Sequence, residues 1–267
     1  MASPNSKTSV LNFVEVPALS AAIPMANSYF KFKQFKIHQD KCAMKVCTDA
    51  CLFGALVANS IFSVNKTKDN LQCLDIGTGT GLLSLMTEQK NTNIKIDAIE
   101  IDAPAAEQAR ENIAASPWAN NIQVFNEDIL NFKPVKQYDY IFSNPPFFKD
   151  DLRSDIKEKN DAKHDTSLSL SQVLQVVDNY LIEDGFFALL LPYHRVYQFI
   201  EEAKTIGLHL IKQVSVKQTI KHKFFRGILF FNRTEREPEL SEIIIKDPEH
   251  NYTPEFAAAL KDYYLFL

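Results

Sequence analysis

A chain of 267 residues, 46% apolar and 23% charged, is long enough for one large α/β domain or two small ones, and its composition, close to the globular average, gives no sign of disorder. No apolar run approaches the ~20 residues that cross a bilayer, so neither a transmembrane anchor nor a membrane partner is expected. The formal net charge of −4 argues against a uniformly basic nucleic-acid binder.

That charge is unevenly spread. Residues 29–47 carry five lysines against Asp40 alone, and residues 204–236 carry eight Lys or Arg against Glu235 alone, which leaves the remainder strongly acidic. Two basic segments on an acidic body fit either a polyanion site or solvated strand faces. The four cysteines, Cys42, Cys47, Cys51 and Cys73, contain no C-x-x-C pair, so they read as reduced, mostly buried thiols with no metal.

The stretch VPALSAAIPMA is broken by Pro17 and Pro24 and preceded by Lys7 as its only basic residue, which is not a signal-peptide pattern. Residues 1–24 are therefore expected to be a flexible N-terminal extension, followed by one domain over 25–267. Next, FKFKQFKI alternates aromatic and basic residues, and Phe30, Phe32 and Phe35 are either a stacking surface or, the better reading, core. VCTDACLFGALVANSIF then predicts a helix with Thr48 or Asp49 near its start.

From Leu71 onward, β-rich runs alternate with helical patterns, the signature of a mostly parallel sheet covered on both faces. The runs are LQCLDI (71–76), IKIDAIE (94–100), NIQVF (121–125), YDYIFS (138–143) and FFALLLP (186–192). Asp102 should cap a helix with Pro104 in its first turn and Ala105, Ala106, Ala109 and Ile113 as its apolar stripe. A second helix is predicted from about Leu168 to Ile182, with Val173, Leu174, Val177 and Leu181 inward and Gly185 as its stop. LHLIKQVSV and GILFFNR predict an antiparallel pair at the sheet edge.

The segment CLDIGTGTGLLSL places Asp75 at a strand end, then Gly77, Thr78, Gly79 and Gly81, then an apolar helix. G-x-G-x-G is not the dinucleotide spacing, and a cofactor without phosphate needs only the close backbone approach that missing Cβ atoms permit. Asp75 can hold an amino-acid ammonium. Glu100, followed by Ile101, can accept from both hydroxyls of a ribose, and Asp128 can take an adenine amino group with Ile129 packed on the ring. Each acid alone is an ordinary loop residue; three at the ends of successive strands resemble the class I methyltransferase pattern. That resemblance implies S-adenosyl-L-methionine as cofactor. It also implies a Rossmann-like fold with a seven-stranded, mostly parallel sheet, an antiparallel edge strand and helices on both faces.

The fourth strand runs directly into Asn144, Pro145, Pro146 and Phe147, which resembles the motif of enzymes that methylate planar amino nitrogens. An exocyclic amine donates its lone pair into its ring and is a poor nucleophile. Hydrogen bonds from its two hydrogens to the Asn144 side-chain oxygen and the Pro145 carbonyl would favour a pyramidal nitrogen. Phe147 or Phe148 can stack on the base. The competing reading is a rigid turn without chemistry.

FKFKQFKIHQDKCAMKVCTDACLFGALVA, the glycine loop, the NPPF turn and the terminal YTPEFAAALKDYYLFL together resemble the bacterial tRNA(Val) adenine methyltransferases, over roughly residues 29–267. The resemblance implies that residues 25–70 lie over the cofactor, with roles for Lys45, Thr48 and Asp49, which could equally be a helix cap. It also implies N6 methylation of the adenosine 3′ of the anticodon, the tRNA anticodon stem-loop as partner, and a cytoplasmic monomer. Lys33, Lys221, Lys223 and Arg226 are the expected phosphate contacts. The loop KDDLRSDIKEKNDAKHD offers Arg153, Lys163 and His164 among many acids and reads as an RNA contact or a lid.

Three rivals remain on sequence grounds. A protein glutamine methyltransferase would use the same turn but typically carries a helical substrate domain, and only about 70 residues precede the first core strand here. A ribosomal RNA guanine methyltransferase is not distinguished by the motif. A nucleotide-dependent oxidoreductase is disfavoured by the glycine spacing and by the NPPF turn.

Overall fold

A computed structural model describes residues 27–42, 44–65, 70–91, 93–146 and 168–267. The core strands are β3 (Leu71–Ile76), β4 (Ile94–Glu100), β5 (Ile122–Asn126), β6 (Tyr138–Ser143) and β7 (Leu181–Pro192). They follow a short hairpin of β1 (Tyr29–Lys31) and β2 (Lys36–His38) and precede β8 (His209–Thr219), β9 (Phe224–Asn232) and β10 (Glu239–Lys246). Helices α1 (Thr48–Asn65), α2 (Leu82–Lys90), α3 (Ala103–Ala114), α4 (Leu170–Tyr180), α5 (Val196–Lys204) and α6 (Pro254–Leu260) fill the connections. β3 and β6 are almost wholly buried, as continuous apolar runs in the middle of a two-sided sheet should be.

The sheet order is β10-β8-β9-β7-β6-β3-β4-β5. Only β9 runs against its neighbours, and β10 lies parallel to β8. The expected seven strands are β3 to β9, and β10 makes an eighth. The antiparallel strand stands between β7 and β8, one position inside the expected edge. β10 escaped the sequence pattern because Glu239 and Glu242 interrupt its apolar character; they face Lys212 and Lys217 of β8 across 2.8 and 3.3 Å.

One core joins α1, α2, α3 and α6 to the sheet, and a second joins α4 and α5 to its opposite face. Phe32 and Phe35 are buried and stacked at 4.5 Å, so the core reading of those rings holds, with half-buried Phe30 beside them. Asp102 caps α3 through a 3.0 Å bond from Ala105 N–H, and the predicted alanine stripe is buried. Ser169 and Gln172 close a capping box at the start of α4.

Gly185 does not stop α4. That helix gives way at Leu181, which is already extended and opens β7, and Gly185 lies inside the strand. There the β6–β7 register slips, and a Cβ at Gly185 would meet the Ile182 carbonyl oxygen at 2.9 Å. The glycine serves a close backbone approach at a bulge. Among the described residues no helix is long and apolar enough to cross a membrane.

Candidate active site at the sheet switch point

Strand order reverses between β3 and β6: β4 and β5 extend to one side and β7 to the other. Such a switch opens a crevice at the carboxyl ends of the two central strands. Both sequence motifs emerge there. Ser143 pairs in register with Ile76, and its hydroxyl donates to the Ile76 carbonyl at 2.8 Å. The next residues in each chain direction are Asn144 and Gly77.

Gly77, Gly79 and Gly81 have φ of 71°, 58° and 81°, a region L side chains rarely adopt. Space is open within 4 Å of where a Cβ would stand on Gly77 or Gly79. Gly77 and Thr78 donate their amides to the Ile99 carbonyl, so the loop is stitched to the end of β4.

Asp75 is fully buried. Its Oδ2 accepts from Thr78 Oγ1 and Ser84 Oγ, each at 2.7 Å, while Oδ1 has no hydrogen-bond partner among the described residues. Burial raises its carboxyl to about 6, against the opposing pull of the two hydroxyls. A buried carboxylate oxygen left unpaired at a strand end fits a cationic ligand group. Ser84 was not singled out from sequence, where it reads as one polar position in an apolar helix.

Glu100 has a role the sequence did not disclose. Its Oε2 accepts from Gly79 N–H at 2.8 Å and its Oε1 from Asp102 N–H at 2.9 Å, so it braces the glycine loop. Each oxygen keeps a further lone pair for a hydroxyl donor. Asp128 holds its own turn by accepting from Leu130 N–H at 3.0 Å. Ile129 is packed into the core, whereas Ile101 is 47% exposed and offers an apolar side chain at the end of β4.

Asn144 is half-buried, Pro145 buried and Pro146 exposed. The Asn144 amide makes no hydrogen bond within the described residues. Phe147, Phe148 and the loop bearing Arg153, Lys163 and His164 lie outside the described residues.

The N-terminal segment is clasped to α3 beside the loop. Asn112 donates to the carbonyls of His38 and Thr80, both at 2.9 Å, and Gln108 accepts from the amides of Asp40 and Lys41. Gln39 accepts from Val46 N–H at 2.8 Å, which closes the loop that carries exposed Lys45 into α1. Thr48 begins α1 and is half-buried.

Two expected phosphate contacts are engaged elsewhere. The Lys33 ammonium donates to the Lys261 carbonyl, tying the β1–β2 hairpin to the C-terminal segment. Arg226 donates Nε to Asp49 Oδ2 at 2.7 Å, so the expected cofactor residue Asp49 and the expected substrate residue Arg226 neutralise one another. The basic segment 204–236 is largely countered in space: Lys204 meets Glu201, Lys212 meets Glu239, Lys217 meets Glu242, and Arg233 meets Asp178 and Glu183. Lys221 and Lys223 are exposed in the turn joining β8 to β9. Because β8 ends there, the turn stands at the same sheet edge as Asn144.

The four cysteines are free thiols, with Cys51 and Cys73 buried, Cys42 half-buried and Cys47 exposed. The exposure of Cys47 departs from the burial expected of it, because it precedes the first turn of α1.

Comparison with known proteins places these features in a lineage. The family described as "Methyltransferase small domain" matches residues 54–180. A Dyadobacter fermentans protein named tRNA1(Val) (adenine(37)-N6)-methyltransferase is 40% identical over 245 residues, covering 90% of this chain and 98% of the relative. A Flavobacterium johnsoniae protein of the same name is 38% identical, covering 88% and 99%. Among solved structures, a protein described as a predicted O-methyltransferase from Agrobacterium tumefaciens superposes with a TM-score of 0.58 at 16% identity, over 80% of this chain and 95% of that one, a likeness of fold.

Proposed function

The chain belongs to the tRNA1(Val) (adenine(37)-N6)-methyltransferase family, and on that premise we propose that it transfers a methyl group from S-adenosyl-L-methionine to N6 of adenosine 37 in tRNA(Val). The observation that carries the chemistry is the in-register Ser143–Ile76 pair, which sets the Asn144-Pro145-Pro146 turn beside the glycine loop. Residues 25–267 act as one methyltransferase domain in this reading, working as a monomer in the cytoplasm, where tRNA is modified.

The residues fit the cofactor. Asp75 would hold the ammonium through its unpaired Oδ1, Glu100 the ribose hydroxyls, and Asp128 the adenine amine, with Gly77 and Gly79 admitting close backbone approach and Ile101 supplying an apolar edge. The bound cofactor supplies an activated methyl on a sulfonium.

The protein's task is to present the amine. The Asn144 side-chain oxygen and the Pro145 carbonyl accept the two amine hydrogens, turning the nitrogen lone pair out of the ring plane and toward the cofactor side of the turn. No strong general base is required, because the alkylated amine sheds its proton readily. Lys221 and Lys223 hold backbone phosphates at the rim.

The test is transfer of labelled methyl from S-adenosylmethionine to unmodified tRNA, ribosomal RNA and release factor in parallel, with nucleoside analysis. N6-methyladenosine in tRNA is the expected product. Label confined to guanosine or to protein would overturn the assignment.

A further inference from the structure

We infer that Arg226 and Asp49 form a strut that positions the first turn of α1 over the cofactor cradle, and that neither side chain touches a ligand. The inference rests on the reading of the glycine loop as that cradle.

Asp49 is only 9% exposed, and a carboxylate so removed from water needs a cationic partner. Arg226 supplies one from 177 residues away in sequence, at 2.7 Å, while its Nη1 donates to the Phe225 carbonyl at 3.3 Å. The guanidinium is therefore held from its own strand as well as from the helix.

Its place in the fold follows from the ladders. Arg226 pairs with Pro192 at the end of β7, and Leu189 of that strand pairs with Ser143. The strut thus stands three residues beyond the level of Ser143, about 10 Å along the strand direction. That is the edge from which the Asn144 turn departs.

The helix end it holds is level with the glycine loop. A Cβ on Gly54 would meet Met86 Sδ at 2.6 Å and Leu83 Cδ2 at 3.3 Å, and four residues further on Ala58 O accepts from Asn91 Nδ2 at 3.1 Å. Helices α1 and α2 therefore run side by side in the same direction. Thr48 precedes Gly54 by six residues, as Gly77 precedes Leu83, and Gly81 precedes Met86 by five. The start of α1 therefore lies at the end of the sheet from which the glycine loop and Asn144 depart.

Removing Arg226 leaves the Asp49 charge buried and unpaired, and the easiest relief is for the first turn of α1 to swing toward water. That motion depletes the conformation in which the cradle is complete, and the apparent affinity for cofactor falls by the lost fraction. Arg226 and Asp49 are positioning residues on this account, although the basic segment suggests a phosphate contact for Arg226 and the family resemblance implies a cofactor contact for Asp49.

The experiment measures S-adenosylhomocysteine binding by calorimetry and amide exchange at Cys51 and Leu52 in the free protein, for wild type, Asp49→Ala, Arg226→Ala and the double variant. Either single change should weaken S-adenosylhomocysteine binding about tenfold and speed exchange at both amides, with tRNA affinity unchanged. The double variant should be no worse than either single one. Arg226→Lys, which keeps the charge, should recover part of the loss, and it carries the test if Arg226→Ala does not fold. Additive losses, or a loss of tRNA affinity with cofactor binding intact, would overturn the strut. Failure of the wild-type protein itself to bind S-adenosylhomocysteine would count against the cofactor reading, leaving amide exchange to judge the strut.

Discussion

The Ser143 hydroxyl donates to the Ile76 carbonyl at 2.8 Å, joining the last residues of two adjacent parallel strands. Asp75, Gly77, Thr78, Asn144 and Pro145 all lie one or two residues from this bond. Ser143→Ala removes a buried hydrogen bond, at a cost of about 1 kcal/mol in stability. It should also lower kcat more than it weakens S-adenosylhomocysteine binding, because the Asn144 turn loses its anchor while the glycine loop keeps its bonds to Ile99. Equal losses in kcat and in affinity would contradict the division of labour between turn and loop.

Asp75 makes cofactor affinity depend on pH. Its carboxyl is raised to about 6 by burial, and only the ionised form attracts an ammonium. Affinity should therefore rise with pH through about 6 and level off above it, with proton release on binding below that point. Asp75→Asn should bind weakly at every pH and lose the dependence. Calorimetry in buffers of different ionisation enthalpy reads both effects.

Glu88, fully buried on α2, works against the fold at neutral pH. Burial raises its carboxyl from 4.5 to about 7, against weaker opposing pulls from the Asn121 amide and from Lys95. A folded value above the unfolded one means that this group's stabilising contribution is complete below pH 4.5 and lost as pH rises through about 7. Glu88→Gln should match wild type near the acid end and exceed it above pH 7 by on the order of 1–3 kcal/mol, a few degrees in Tm. Thermal melts across pH check it; a gain confined to acid conditions would refute the sign.

Lys221 and Lys223, exposed in the turn after β8, are the proposed RNA contacts. Replacing both with alanine should raise KM for tRNA, leave S-adenosylhomocysteine binding unchanged and reduce the slope of log affinity against log salt by about 1–2. An unchanged salt slope would move the RNA contact elsewhere on the surface.

Legibility from sequence followed the range of the interactions. The glycine loop and the Asp102 cap are local devices whose residue types state their backbone demands, and each is where the pattern placed it, as is Asn144 directly after β6. The class of fold was legible for the same reason, since alternating strands and helices admit few topologies. The eighth strand was not, because the acids that obscure it are answered only by lysines on β8. The partners of Arg226 and Lys33 were illegible for the same reason: a residue 177 or 228 positions distant leaves no trace in a cation's neighbourhood of the chain. Gly185 reads identically as a helix stop or as a bulge, and only the β6–β7 register decides.

The most direct test of the central claim is Asn144→Ala, assayed both for single-turnover methyl transfer to tRNA and for S-adenosylhomocysteine affinity. If Asn144 grips the amine, the transfer rate falls about a hundredfold or more while affinity stays near the wild-type value. Retained turnover, or loss of affinity in step with the rate, would show that the turn after β6 is scaffolding and that the amine is held by other groups.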